Sequence, residues 1–319
     1  MLASRLDTRS RGYRIGLWLI LLGSATVVFW LFFRKFVWSP DPRITLEGMV
    51  YGTAYRPFVS RVLLPLIIRL IAALAPLDLE FLATGLMYLS LVGFVFAFRH
   101  LTTAFWRPSV LTDLASWAAI VGLLPFVVTR GTNLYDLSNL FLFTLGLALL
   151  ARASWPAFLV VFPLACLNKE TSLWLTLVYI LHFYRRLDRV TFARLLLAQM
   201  AVYGLIRFAL VWTFRNNPGV VVEFHLPDHF AEALAHPIRA ALYLVAGLAV
   251  IPLALYRWRD KPEFLRHATL VTAPILFVLF WLFGSPFEIR VFAEAYPGVF
   301  LLSAQTLTYV FGVKLEMAG

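Results

Sequence analysis

Lys169 and Glu170 stand side by side between two apolar runs, residues 155–167 and 172–184. An adjacent cation and carboxylate in such a setting can hold an anionic group and accept or steer a proton. Each run falls short of the roughly 20 residues that a span needs, so the pair reads as the tip of a helical hairpin inside one leaflet. Charge at that depth is costly and normally faces a bundle interior or a water-filled cavity. Asn168 and Thr171 suit N-caps for the second run, with Glu170 at the positive end of its helix dipole. That accounts for Glu170 and leaves Lys169 unexplained.

Other groups able to do chemistry fall into a few short stretches. Asp41, Arg43, Glu47, Arg56 and Arg61 follow the first apolar run. Arg130 precedes Asp136 and Asn139, which lie three residues apart on one helix face. Glu223, His225, Asp228, His229, Glu232 and His236 cluster further on, and Glu288, Arg290 and Glu294 crowd the last loop. Lys and Arg among these could bind an anionic headgroup, and a carboxylate could deprotonate an acceptor. Plainer readings stand beside these: Asp41 lies between two prolines and suits a turn, and Arg56 and Arg61 suit snorkelling to lipid phosphates. Glu288, Arg290 and Glu294 suit an internal ion-pair network. Arg207, in the middle of an apolar run, needs a partner. The spacing His225-x-x-x-His229 with Asp228 admits a divalent metal, but an amphipathic interfacial helix over 227–235 fits better. No resident cofactor is expected.

The elements that must hold these groups are helices in a membrane. Of 319 residues 61% are apolar, against about 45–50% in soluble domains. The single cysteine, Cys166, excludes an intrachain disulfide. The net charge of +11 is no nucleic-acid signal, because the basic residues gather in short loops, as the positive-inside rule expects. Residues 1–14, 99–110, 185–194 and 257–266 are the basic loops and should share the cytoplasmic side. An even number of spans must then separate the first two loops. The apolar run at 62–77, which carries Pro65 and Arg69, therefore reads as interfacial or re-entrant on the outer side. The expectation is an all-α integral membrane fold: one multi-pass domain over residues 1–319, about ten transmembrane helices and an outer interfacial helix after the first span. The spans fall at 15–33, 80–98, 111–129, 136–151, 155–167, 172–184, 195–214, 238–256, 269–284 and 298–313, with both termini cytoplasmic. Trp38, Tyr51, Tyr55 and Tyr296 would line the outer face as an aromatic belt or as stacking surfaces for a sugar.

Three stretches carry a family resemblance: Tyr55-Arg56-Pro57-Phe58-Val59-Ser60-Arg61-Val62-Leu63-Leu64-Pro65, Asn168-Lys169-Glu170-Thr171 and Glu288-Ile289-Arg290. They are similar to bacterial multi-pass proteins grouped with polysaccharide-assembly proteins. The architecture resembles the C-type (GT-C) superfamily of membrane glycosyltransferases, which use polyprenyl-phosphate-linked sugars. The resemblance implies sugar transfer to a glycan or lipid acceptor at the outer face of a bacterial plasma membrane. It maps the catalytic base to Asp41 or Glu47, although no acidic pair or Asp-x-Asp stands there. Lys169, Arg56, Arg61 and Arg290 would hold the donor phosphate, and Glu170, Glu288 and Asp136 would orient them. Arg130, Asn139 and Glu294 would complete the substrate site. Expected partners are the lipid-linked sugar, its acceptor and membrane lipids. A transporter or flippase of a lipid-linked or anionic substrate is the rival reading, and a non-catalytic assembly component is a third.

Overall fold

The computed structural model describes residues 10–33, 42–128, 133–220, 223–313 and 315–318. Asp41, Arg130 and Trp38 lie outside them. In chain order the helices are α1 (Arg11–Phe33), α2 (Leu46–Tyr51), α3 (Leu63–Leu74), α4 (Leu79–Thr102), α5 (Val110–Val121), α6 (Leu124–Val128), α7 (Asp136–Ala151), α8 (Trp155–Asn168), α9 (Leu173–Phe183), α10 (Arg189–Thr213), α11 (Leu226–Ala235), α12 (Pro237–Leu255), α13 (Glu263–Phe283) and α14 (Tyr296–Val310). Among the described residues there is no β-sheet, only one isolated bridge between Trp106 and Met317. With no water to satisfy its backbone, a chain this apolar has helix as its natural solution.

Five helices, α1, α4, α10, α12 and α13, are long and apolar enough to cross a membrane. Every other stretch expected to span is also helical but shorter. α7 has 16 residues, α14 has 15 and α8 has 14. The stretch expected at 111–129 is broken into α5 and α6 after Gly122. Local signals start several helices. Asp78 caps α4, Ser109 and Thr112 form a capping box on α5, and Asp188 caps α10, each meeting amide groups that a helix start leaves unpaired.

α4 and α7 form the centre. α7 is buried along nearly its whole length, and Gly93 of α4 gives room for Phe141, whose ring an added Cβ would meet at 2.9 Å. α1 and α5 pack on one side of this pair, α8 and α9 on the other. α10 and α12 stand at the periphery with most of their surface bare.

The basic loops do share one end. Tyr13 and Arg99 both donate to Asp113, at 2.9 and 2.7 Å. Phe105 stacks on Phe264, 5.9 Å between centroids. Arg186 pairs with Glu263, and Arg107 with Glu316. At the far end gather Arg61, Asp136, Glu170 and Arg290. α3 begins beside the hairpin tip, where Val62 N–H donates to Leu167 C=O at 2.9 Å. It turns Leu66, Arg69, Leu70 and Leu74 outward and buries Leu63, Leu64 and Ile68. That is the pattern of a helix lying against the bundle in an interface.

Because α10 joins the two ends, cysteines at the exposed positions Arg185 and Asn216, in a Cys166→Ser background, should react with an impermeant thiol reagent from opposite faces of a sealed vesicle. Labelling of both from one face would contradict the two-ended arrangement.

Candidate functional site

The hairpin forms as its short runs require. α8 and α9 rise only about 21 and 17 Å, short of the roughly 30 Å hydrocarbon core. Their far ends meet, with Trp155 edge-on to Tyr179 and Phe183 at 5.8 and 5.0 Å. At the tip Lys169 is extended (φ −160, ψ 144), and residues Glu170–Ser172 make a 3₁₀ turn into α9. The expected caps are not used, because no side chain caps α9. Asn168 is buried and turns to α7 instead. Its Nδ2 donates to Tyr135 C=O at 3.1 Å, and its Oδ1 accepts from Ser138 Oγ at 2.6 Å. Thr171 Oγ1 donates to Glu294 Oε1. These two polar groups answer long-range partners, and a buried polar group must have one somewhere.

Seven charges converge here from four parts of the chain. Arg61 Nη2 donates to Glu170 Oε1 at 2.8 Å, while its guanidinium carbon lies 4.2 Å from the Tyr135 ring centroid. Lys169 Nζ reaches Glu294 Oε1 at 3.0 Å, and the Glu294 side chain is 0% exposed. Arg290 bridges two acids, Asp136 Oδ2 at 3.1 Å and Glu288 Oε1 at 2.6 Å. Asn133 N–H also donates to Asp136 Oδ2 at 2.7 Å, and Ser285 N–H to Glu288 Oε2 at 3.0 Å. The Tyr135 hydroxyl lies against the Asn133 amide. Tyr203 on α10 donates to Glu170 C=O at 3.2 Å. A small, mostly apolar hollow opens beside Asp136 and Arg290, bounded by Leu123, Phe126, Leu137, Leu140 and Ala293.

Arg61, Lys169 and Arg290 are therefore held by carboxylates, not free. Glu170 pairs with Arg61, Glu288 and Asp136 pair with Arg290, and Glu294 is the partner of Lys169. Burial alone would raise the Glu288 carboxyl, but the Arg290 guanidinium outweighs it and holds the group below the ordinary glutamate range. Other expected members lie elsewhere. Glu47 sits exposed in the first turn of α2 after its cap Thr45. It stands two residues from Met49, a member of the same apolar cluster as Tyr135. Two residues on a helix point to nearly opposite faces, so Glu47 lies across α2 from Met49, and among the described residues it pairs with none of these charges. Arg56 is a loop tie, its Nη2 donating to Gly219 C=O at 2.9 Å. Gly219 has φ +94, and an added Cβ would sit 2.7 Å from Arg56 C=O, so this approach requires glycine. Asn139 is buried one turn after Asp136, with its amide nitrogen unpartnered.

The histidines do not converge. His225 Nδ1 pairs with Asp228 at 2.8 Å, whereas His229 Nε2 turns to Phe280 and Gly284 carbonyls at 3.0 Å. Among the described residues no His, Cys, Asp and Glu group is arranged to hold a metal, and α11 is the helix expected at 227–235. Tyr296 is also no belt residue, since its hydroxyl donates to Ala119 C=O and its ring packs on Phe126. The sequence reading missed Tyr135, Asn133, Ser138 and Tyr203. Tyr135 had one signal, its position directly before Asp136.

No family model matches the chain, and no curated protein matches it.

Lys169→Met should cost about 3–5 kcal/mol, because it strips a fully buried carboxylate of its counter-charge. Adding Glu294→Gln should recover part of that loss in detergent unfolding measurements. Strictly additive losses would mean that the two charges are not coupled. Glu288 gives a pH signature. A carboxyl held low in the folded state stabilises above its unfolded pKa of about 4.3 and loses that contribution as pH falls through its lower folded value. Glu288→Gln should flatten the acid side of the stability curve and leave its neutral slope unchanged.

Proposed function

We propose that the chain is a membrane glycosyltransferase that moves a sugar from a polyprenyl-phosphate donor to an acceptor at the outer face of a bacterial plasma membrane. The observation that carries this reading is the convergence of Arg61, Lys169 and Arg290, from three separate outer segments, on the tip of a hairpin that stops short of the far face. A phosphate leaving group needs such cations at the depth where a lipid tail holds it. In the transfer, an acceptor hydroxyl attacks the anomeric carbon and the carbon–oxygen bond to phosphate breaks. The electron pair stays on the phosphate oxygen, and a carboxylate takes the hydroxyl proton.

The cations meet the phosphate by exchanging carboxylate partners. The preformed pairs keep the cations desolvated beforehand, and the exchange of partners is the reorganisation that the reaction still requires. The base comes from the first outer loop, from Glu47 or Asp41. Glu47 is accessible to a hydroxyl from the solvent side, being exposed on α2. Transport of a lipid-linked or anionic substrate is the second reading. It is favoured by the interrupted helices beside the charges, α5–α6 and α8–α9, a pattern shared with transporters.

Purified protein in vesicles, given a labelled polyprenyl-phosphate sugar and a panel of glycan and lipid acceptors, should release polyprenyl phosphate with formation of a new glycoside. Arg61→Gln should lower turnover by about 10²–10³, the loss typical of a transition-state charge donor. Glu47→Gln and Asp41→Asn identify the base. Full activity in both would remove the first outer loop from the chemistry, and label crossing the vesicle wall without turnover would select transport.

A further inference from the structure

One cation near this network stands apart from the rest. α10 turns Leu197, Leu205, Phe208, Val211 and Trp212 outward, the apolar face a lipid-contacting helix presents. Its inner stripe is polar. Gln199, Tyr203 and Arg207 follow at four-residue intervals and so share one face. That face meets α8 and α9, because Tyr203 bonds Glu170 at the tip. The Arg207 guanidinium lies within electrostatic reach of both Tyr203 and Cys166.

Arg43, Arg61, Lys169 and Arg290 all rest on carboxylates. Arg207 makes no ion pair or hydrogen bond with a described residue, and its Nη1 is shut off from solvent without a partner. Gln199 Oε1, on the same stripe, is also buried and unpartnered. Arg207 is half-buried; a cation with a nitrogen shut off from solvent and no counter-charge among the described residues is costly, and an intramembrane arginine normally has a partner.

Depth and access define that partner. α10 has 25 residues, so it is about 37 Å long and overruns a core of roughly 30 Å slightly at each end. Arg207 stands six residues before the last, Thr213, hence about 9 Å along the axis from the helix end. For a centred helix that is only a few ångströms below the headgroup layer. Beside it, at Gly204, an added Cβ would meet nothing within 4 Å, so the flank of α10 is open. A free anion would have to shed its hydration to arrive there. A phosphate attached to an apolar tail is already carried at nearly that depth and can approach sideways.

We infer that Arg207 binds the phosphate of a membrane lipid that enters laterally from the bilayer at the seam between α10 and the α8–α9 tip. Identifying that lipid as the sugar donor rests on the transfer reading above; the phosphate site does not. Binding would deliver the headgroup next to Glu170 and its partner Arg61. The fork of the guanidinium suits two phosphate oxygens at once.

The test uses the full chain in phosphatidylcholine nanodiscs. Farnesyl phosphate, farnesol, phosphatidylglycerol and inorganic phosphate are titrated separately, with bound adducts read by native mass spectrometry. Farnesyl phosphate should bind wild type and lose at least tenfold in affinity in Arg207→Gln, and farnesol should bind neither. Arg207→Lys, which keeps the charge and loses the fork, should fall between, and it serves as the reading if the glutamine variant does not fold. Equal, Arg207-dependent binding of farnesyl phosphate and phosphatidylglycerol would support the lipid-phosphate site while withdrawing its identification with the donor. No sugar transfer by the wild type, with Arg207-dependent binding intact, would sink the enzyme reading alone. The inference is overturned if affinity for farnesyl phosphate is unchanged in the variants. It is also overturned if inorganic phosphate binds as tightly as the lipid, or if the variants only lower thermal stability.

Discussion

A carboxylate with no exposed surface and no water to turn to must take its counter-charge from the chain. Glu294 is in that position, and Lys169 answers it. That pair, with the Thr171 hydroxyl beside it, fastens the loop between α13 and α14 to the hairpin tip across 125 residues of sequence. The same constraint then propagates. Lys169 and Glu170 are adjacent, so the tip must also satisfy Glu170, and Arg61 arrives from the segment between α2 and α3 to do it. Arg290 brings in α7 through Asp136. In a medium of low dielectric these pairs stand in for solvent, and their geometry is enforced because an orphaned charge costs far more than a formed pair returns.

The large features were legible because the membrane makes them so. Basic loops assort to one end, and the contacts among Tyr13, Arg99, Asp113, Arg186 and Glu263 bring them there. Runs too short to cross fold back, and α8 and α9 do. The amphipathic run after the first outer loop becomes α3. Boundaries were less legible, since Gly122 interrupts the stretch after residue 110 and only five helices have the length and apolarity of a span.

At this cluster the charged stretches were legible in the sequence, but the pairing of their side chains was not. Local spacing would match Glu294 with Arg290, four residues earlier on a helix. The segment Ile289–Phe292 is a 3₁₀ turn instead, and tighter winding turns the two side chains apart. Arg290 then pairs two residues back with Glu288, and Glu294 is released to Lys169. Asn168 and Thr171 are misread for a related reason. Both are strong N-cap types, yet at a buried tip a tertiary partner outbids a local amide, so Asn168 takes Tyr135 and Ser138. Tyr135 escaped notice because an aromatic in an apolar chain reads as core. Only the arrival of Arg61 over its ring sets it apart.

The pairing also changes what kind of site this is. Counted together, the network holds one more carboxylate than cation, so an incoming phosphate meets no standing positive field. On the proposed reading it would bind through donors that the pairs leave unused or by displacing an acid, which must then find a proton or another partner. Such exchange favours a ligand held in place by something else first, because each partner broken costs energy before the new contact repays it. A lipid tail in the bilayer is one such anchor, and an unpaired cation at the rim is another. Arg207 differs from Arg61 in this respect: among the described residues it has no carboxylate to surrender, so on the proposed reading a phosphate would engage there without breaking a pair. On that reading, an arginine with no counter-charge among the described residues, beside a cluster of formed ion pairs, would separate capture from chemistry. Affinity would come from Arg207, and partner exchange within the network would be left for the charge that develops as the bond breaks.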